Sequence, residues 1–196
     1  MRTNAIILLV AALTYIESSI MIFQLDRIER RLTAIQSPIT PAHFREAEAV
    51  GVIVRKIERM NKSVSRGLSL HVARAVYEVA EEQEISPDLI VALIAAESNF
   101  DPYAISRTGC SGLMQVAPFW RNELAFCKDL FDVKTSIRCG TYIFLTYRGM
   151  FGSDEAALVA YNDGPETVKK SIKSGSIVKS SYSKLVLASV DRLKLQ

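Results

Sequence analysis

Pro87-Asp88-Leu89-Ile90-Val91-Ala92-Leu93-Ile94-Ala95-Ala96-Glu97-Ser98 is the stretch from which the rest of the chain can be read. Ser86 stands ahead of it as an N-cap, Pro87 suits a first helical position, and Asp88 sits near the positive end of the dipole. That start sets the phase, so Ile90, Leu93, Ile94 and Glu97 share one helical stripe. A carboxylate on an apolar stripe points at a partly desolvated site. Desolvation raises its pKa and keeps it protonated near neutrality, the property that a general acid requires. The plain alternative is a helix-end glutamate that turns to solvent or pairs with an arginine. Asp101-Pro102 is expected to end the helix, because a residue before proline resists the helical region.

Working outward, helical spacing recurs. Residues 68–84 carry Leu70, Ala73, Val76, Tyr77 and Ala80 on one face; residues 136–151 present Ile137, Gly140, Ile143, Phe144 and Tyr147. Shorter helices are expected over 154–162, 168–172 and 181–193, and no strand-like alternation is convincing. The fold class is therefore mostly α. At 196 residues the length suits one globular domain with an appendage.

The appendage is at the start. Residues 5–23 hold one ionisable group, Glu17, and are long enough to cross a bilayer. An uncleaved membrane anchor over residues 1–24 is the favoured reading, since no small-x-small cleavage site follows the apolar core. The alternative is a cleaved signal peptide with Arg2 as its basic region. Arg2 on one side and Arg27, Arg30 and Arg31 on the other leave orientation open. Leu25, Ile28, Leu32 and Ile35 follow at spacings of three and four, over too few heptads for a coiled coil. Ser37-Pro38-Ile39-Thr40-Pro41 reads as a hinge. Residues 42–62 are helical again, with Val50, Val54 and Ile57 on one face; packing on the next domain and extending a stalk both fit. The organisation expected is an anchor at 1–24, a helical stalk or linker at 25–66 and a catalytic domain at 67–196.

Cys110, Cys127 and Cys139 make an odd count, which in an exported chain points to one disulfide and one leftover thiol. Cys127 and Cys139 flank a short segment and are the candidate pair; Cys110 is read as a buried small apolar side chain. His43 and His71 are scattered and there is no C-x-x-C, so no metal site is expected. No cofactor is expected either. Nucleic-acid binding lacks an aromatic-and-basic motif. The lysine-rich carboxyl-terminal stretch suits an anionic wall polymer, lipid headgroups or plain solvent.

Beyond Glu97-Ser98 come Ser106 in the following loop, Gly112-Leu113-Met114-Gln115, and Ala160-Tyr161-Asn162-Asp163-Gly164. This ordered set, over roughly residues 68–190, resembles the soluble-lytic-transglycosylase-like family of the goose-type lysozyme superfamily. The resemblance implies a lysozyme-like helical domain that cleaves peptidoglycan glycan strands. It makes Glu97 the acid/base and gives substrate contacts to Ser106, Met114, Gln115, Tyr161 and Asn162. Tyr182, by looser neighbours, is the tyrosine that hydrogen-bonds the catalytic glutamate. Asp101, Glu123, Asp129, Asp132, Asp154, Glu155 and Asp163 fall in no motif that would partner Glu97, so one acid has to serve twice, an exception to the usual carboxylate pair.

The activity implied is cleavage between N-acetylmuramic acid and N-acetylglucosamine with 1,6-anhydro product formation. The domain would face the periplasm or cell wall from a bacterial inner membrane or a phage virion membrane, for wall opening in secretion, conjugation or phage entry. A lysozyme-like hydrolase and a non-catalytic wall-binding scaffold are the alternatives. Plain packing roles also fit Met114, Tyr161 and the Phe119-Trp120 pair.

Overall fold

The computed structural model describes residues 21–22, 24–28 and 40–195. The chain divides into two compact units, Met1–Phe44 and Arg45–Gln196. In the first, residues 21–22 and 24–28 are helical, with Met21, Ile22, Leu25 and Ile28 exposed. The expected anchor at 5–23 lies almost wholly outside the described residues, as do Leu32 and Ile35. No helix among the described residues is long and apolar enough to cross a membrane.

The second unit is helical: α1 (Pro41–Met60, from Arg45 onward), α2 (Arg66–Gln83), α3 (Pro87–Glu97), α4 (Pro118–Glu123), a 3-10 turn (Ala125–Cys127), α5 (Val133–Phe151), α6 (Asp154–Asp163), α7 (Pro165–Lys173) and α8 (Ser181–Lys194). Among the described residues, extended pairing is limited to isolated bridges between Ile105 and Ser111 and between Ser111 and Val116. Helix α3 is the axis of the unit. Leu89, Ile90, Val91, Ala92, Leu93 and Ile94 are all buried, so the helix is wrapped on every side rather than along one stripe. It packs against α8, α2 and α5, while α6 packs against α5, α7 and α8.

Several boundaries differ from the sequence reading, each for a local reason. Ser86 is the N-cap residue of α3, but its side chain makes no capping bond; its carbonyl receives Leu89 N–H instead. Asp88 is held by Lys56 Nζ at 2.6 Å, both largely buried, which pins α3 to α1. Helix α3 stops at Glu97 rather than at Asp101-Pro102, because Asn99 (φ 51°) and Phe100 (φ 69°) turn left-handed. A bulky residue there is strained, and the reversal places the Phe100 ring in the core. Leu70 is exposed, with Val72 and Val79 taking the buried places on α2. Of the two options left open for residues 42–62, packing on the following domain is the one seen from Arg45 onward. Val50, Ile53, Val54 and Ile57 belong to the core of the second unit, so residues 45–66 are part of the globular body.

Asp132 caps α5 by accepting Thr135 N–H at 2.8 Å, so the helix begins at Val133, three residues before the start expected from periodicity. The disulfide joins Cys127 to Cys139, fastening the 3-10 turn to α5. Cys110 is the free thiol.

Candidate active site

Glu97 closes α3 and is half-buried, and its Oε1 accepts a hydrogen bond from the Tyr182 hydroxyl at the first turn of α8. Burial raises the Glu97 pKa to about 7, against the opposing pull of the Tyr182 bond. The Tyr182 phenol is pushed far up, first by its own burial and then by the Glu97 charge. The same two causes raise Tyr161, so the field of one carboxylate reaches both rings. Tyr182 was the loosest of the sequence matches, yet it is the residue bonded to Glu97.

A cleft of about 250 Å³ lies against the Tyr161 ring, lined by Gln115, Tyr161, Asn162 and Gly164 together with Cys110, Val116, Ala117, Trp120, Ile143, Tyr147 and Ala160. No carboxylate is among them. A larger concavity of about 610 Å³, lined by Gln83, Phe126, Arg138, Tyr142, Leu145 and Thr146, exceeds it in size but holds no acid. Neither concavity is lined by an acid; the smaller one is singled out because Tyr161 on its wall feels the Glu97 charge.

The wall of the cleft is built from the loop 104–116, whose backbone folds on itself. Ser106 N–H donates to the Cys110 carbonyl at 2.9 Å, and Ser111 and Val116 exchange bonds at 3.1 and 3.0 Å. Gln115 takes a left-handed backbone, φ 45°, and its Nε2 donates to the Ala104 and Gly112 carbonyls at 3.0 and 3.1 Å. The amide nitrogen is thus spent on the loop, and only Oε1 is left for a ligand. Gly112 has φ 78°, and a Cβ there would meet the Leu130 carbonyl oxygen at 2.0 Å. Its missing side chain admits the protein's own backbone, not a sugar.

Met114 requires a correction. Its side chain is fully buried and packs so closely on Gly140 that an added Cβ would sit 2.4 Å from Met114 Cβ. The thioether is core, and the cleft receives nothing from it. Its backbone is what matters: Met114 N–H donates to Ser136 Oγ at 3.2 Å and its carbonyl accepts the Tyr161 hydroxyl at 2.7 Å. Ser106 is also turned to internal work, its Oγ accepting Cys110 N–H at 3.0 Å and lying 2.9 Å from Thr108 Oγ1; it does not line the cleft. Asn162 is exposed, with Nδ2 donating to Asp163 Oδ1 at 2.6 Å.

Cys110 was expected to be buried; it is part-exposed on the cleft wall. Trp120 and Tyr147 complete that wall, with ring centroids 6.1 Å apart at 75°. Trp120 had been open between cleft and packing, and Tyr147 had been read only as a helix-face residue. They are 27 positions apart in sequence, and no spacing rule links them.

The Transglycosylase SLT domain family matches residues 74–182, more than half of the chain, and the chain belongs to that family. It is similar to a membrane-bound lytic murein transglycosylase C of Edwardsiella ictaluri, with 29% identity over 117 residues, covering 50% of this chain and 33% of that protein. A membrane-bound lytic murein transglycosylase F of Desulfosudis oleivorans is 32% identical over 96 residues, covering 45% and 21%. The chain thus spans a third or less of the length of these relatives. Among solved structures, the fold is shared by the 70 kDa soluble lytic transglycosylase of Escherichia coli, with a TM-score of 0.57 at 20% identity over 89% of this chain and 34% of that one. The same enzyme type in complex with bulgecin A gives 0.58 at 21%, over 90% and 34%.

Proposed function

We propose that this chain is a peptidoglycan lytic transglycosylase in which Glu97 acts first as acid and then as base. The observation that carries this is a half-buried carboxyl with a pKa of about 7 whose charge reaches Tyr161 on the wall of a cleft that no carboxylate lines. The names of the relatives point the same way. Protonated Glu97 gives its proton to the glycosidic oxygen between N-acetylmuramic acid and N-acetylglucosamine, and the C1–oxygen bond breaks. The substrate's own N-acetyl group stabilises the charge left at C1. Ionised Glu97, steadied by the Tyr182 hydroxyl, then takes the proton of the C6 hydroxyl as that oxygen bonds to C1. The acid is regenerated and no water is consumed. Because the attacking oxygen is already tethered, geometry supplies a large effective molarity.

Gln115 Oε1 accepts from a sugar N–H or hydroxyl, and Tyr161 and Asn162 form the facing wall. Ser106 acts by holding the 106–110 turn in place, and Met114 by holding Tyr161. The catalytic unit faces the wall polymer from a membrane anchor at residues 5–23, and the Cys127–Cys139 disulfide suits such an oxidising compartment.

Digestion of purified sacculi, with product masses read directly, tests this. The parent should release muropeptides lighter by one water than hydrolytic products, and Glu97→Gln should release none. Products with a free reducing end would make the chain a hydrolase; binding without release would make it a scaffold.

A further inference from the structure

A basic rim joins the two sides of the site. Gly164 lines the cleft and Tyr182 donates to Glu97, so residues 165–180 connect the cleft wall to the ring that holds Glu97. They hold Lys169, Lys170, Lys173 and Lys179 against Glu166 alone, an excess of three positive charges that equals the net charge of the whole chain. Lys169 pairs with Glu166 at 2.7 Å. Among the described residues no carboxylate lies in salt-bridge contact with Lys170, Lys173 or Lys179, though the Lys170 charge also reaches Glu166. Val168 is the buried residue of α7, and helical geometry puts Lys170 and Lys173 on the side away from it. Ile172 and Ile177, set among these lysines in sequence, are 56% and 78% exposed.

We infer that this rim binds carboxylate-bearing peptide branches of the glycan whose sugars occupy the cleft, an inference that rests on the transglycosylase reading above. Reach decides between sugar and branch. At 1.5 Å per residue, α7 carries Lys173 about 12 Å along from Pro165 at the cleft edge. A sugar in the cleft does not extend that far, whereas a branch of four or five residues at about 3.3 Å each spans roughly 13–17 Å. Ammonium groups match the free carboxylates of such branches, and the two isoleucines offer surface to their methyl groups. Single exposed ion pairs are weak. Several together act on capture of the polymer rather than on turnover.

The test uses the full chain in mild detergent on two substrates, intact sacculi and the same sacculi stripped of peptides by an amidase. On intact sacculi K170E/K173E/K179E should raise KM about tenfold, leave kcat in place and flatten the salt dependence. On stripped glycan it should behave as the parent, and K170R/K173R/K179R should behave as the parent on both. An unchanged KM on intact sacculi, or equal losses on both substrates, overturns the inference. So does loss of binding to phosphatidylglycerol vesicles with sacculus kinetics intact, which would assign the rim to a lipid surface. Failure of the transglycosylase reading looks different: the parent then cleaves neither substrate, or releases products with a free reducing end. Binding still reads the rim in either case, by co-sedimentation with intact sacculi and by competition with the soluble glycan strands that the amidase leaves. The parent should prefer intact over stripped sacculi about tenfold and the glutamate variant should show no preference; a parent without preference overturns the inference.

Discussion

Glu97 is held between two opposed influences. Burial favours the neutral acid and the Tyr182 hydroxyl favours the carboxylate; burial wins, leaving a pKa of about 7. A group poised near the working pH can give and take a proton within one cycle. Tyr182→Phe deletes the influence that lowers the pKa, so the descending limb of the kcat/KM profile should move to higher pH. The lost bond to the ionised form should cost kcat roughly 10–100-fold. A limb that moves to lower pH would contradict this balance. Stability carries the same signature. With the folded pKa near 7 and the ordinary value at 4.5, folding takes up a proton between them, and stability falls as pH rises across that window. Glu97→Gln removes the buried charge. Denaturant melts should find the variant more stable by about 2 kcal/mol above pH 7 and close to the parent near pH 4. Glu97 was legible because a carboxyl closing an otherwise apolar run is a local signal, although the stripe itself decided little once α3 was wrapped on every side. Its bond to Tyr182 spans 85 positions and only a motif with loose neighbours hinted at it. Met114 misled for a related reason: the space it fills is opened by Gly140, whose lack of a side chain matters only once α5 lies against the loop.

Among the elements, helices longer than two turns were readable from periodicity, and the loop 104–116 was not. Its order comes from backbone bonds and from left-handed residues such as Gln115 (φ 45°), a conformation that the side-chain pattern does not announce. The six-residue α4 and the 3-10 turn after it are too short to show a period. The cysteines did announce a tie, and its effect is separable from catalysis. Cys127 and Cys139 close a short loop of separation 12, and neither lines the cleft. Cys127→Ser/Cys139→Ser should therefore lose about 3 kcal/mol in chemical denaturation while kcat on sacculi stays within a few-fold of the parent. Reductant on the parent should reproduce the loss. A collapse of kcat at full stability would instead mean that the disulfide shapes the loop. Gly140 offers the converse case. Gly140→Ala pushes a methyl into Met114 and should cost about 1–3 kcal/mol through overpacking, and Tyr161, hung from the Met114 carbonyl, should move with it, so that KM rises.

For the molecule as a whole, the question is where the catalytic body begins. Sequence periodicity set α1 apart as a stalk because Pro38 and Pro41 interrupt the chain before it and charges cover its other face. Its apolar face left two options open, and the core decides between them. Val50, Ile53, Val54 and Ile57 are each 5% exposed or less and share the core with α2 and α3. At about 1.5–3 kcal/mol for each buried aliphatic side chain, their loss comes to roughly 6–12 kcal/mol, comparable to the entire stability of a typical domain at about 5–15 kcal/mol. Removing α1 would also strip Lys56 from Asp88 and leave a largely buried carboxylate unpaired, which adds to the cost. A fragment of residues 41–196 should therefore melt cooperatively and digest sacculi. A fragment of residues 67–196, cut where the sequence pattern alone would place the domain edge, should show no cooperative melt by circular dichroism and no digestion. If the shorter fragment melts at the same temperature as the longer one, α1 is an appendage after all, and the core of the catalytic unit closes without it.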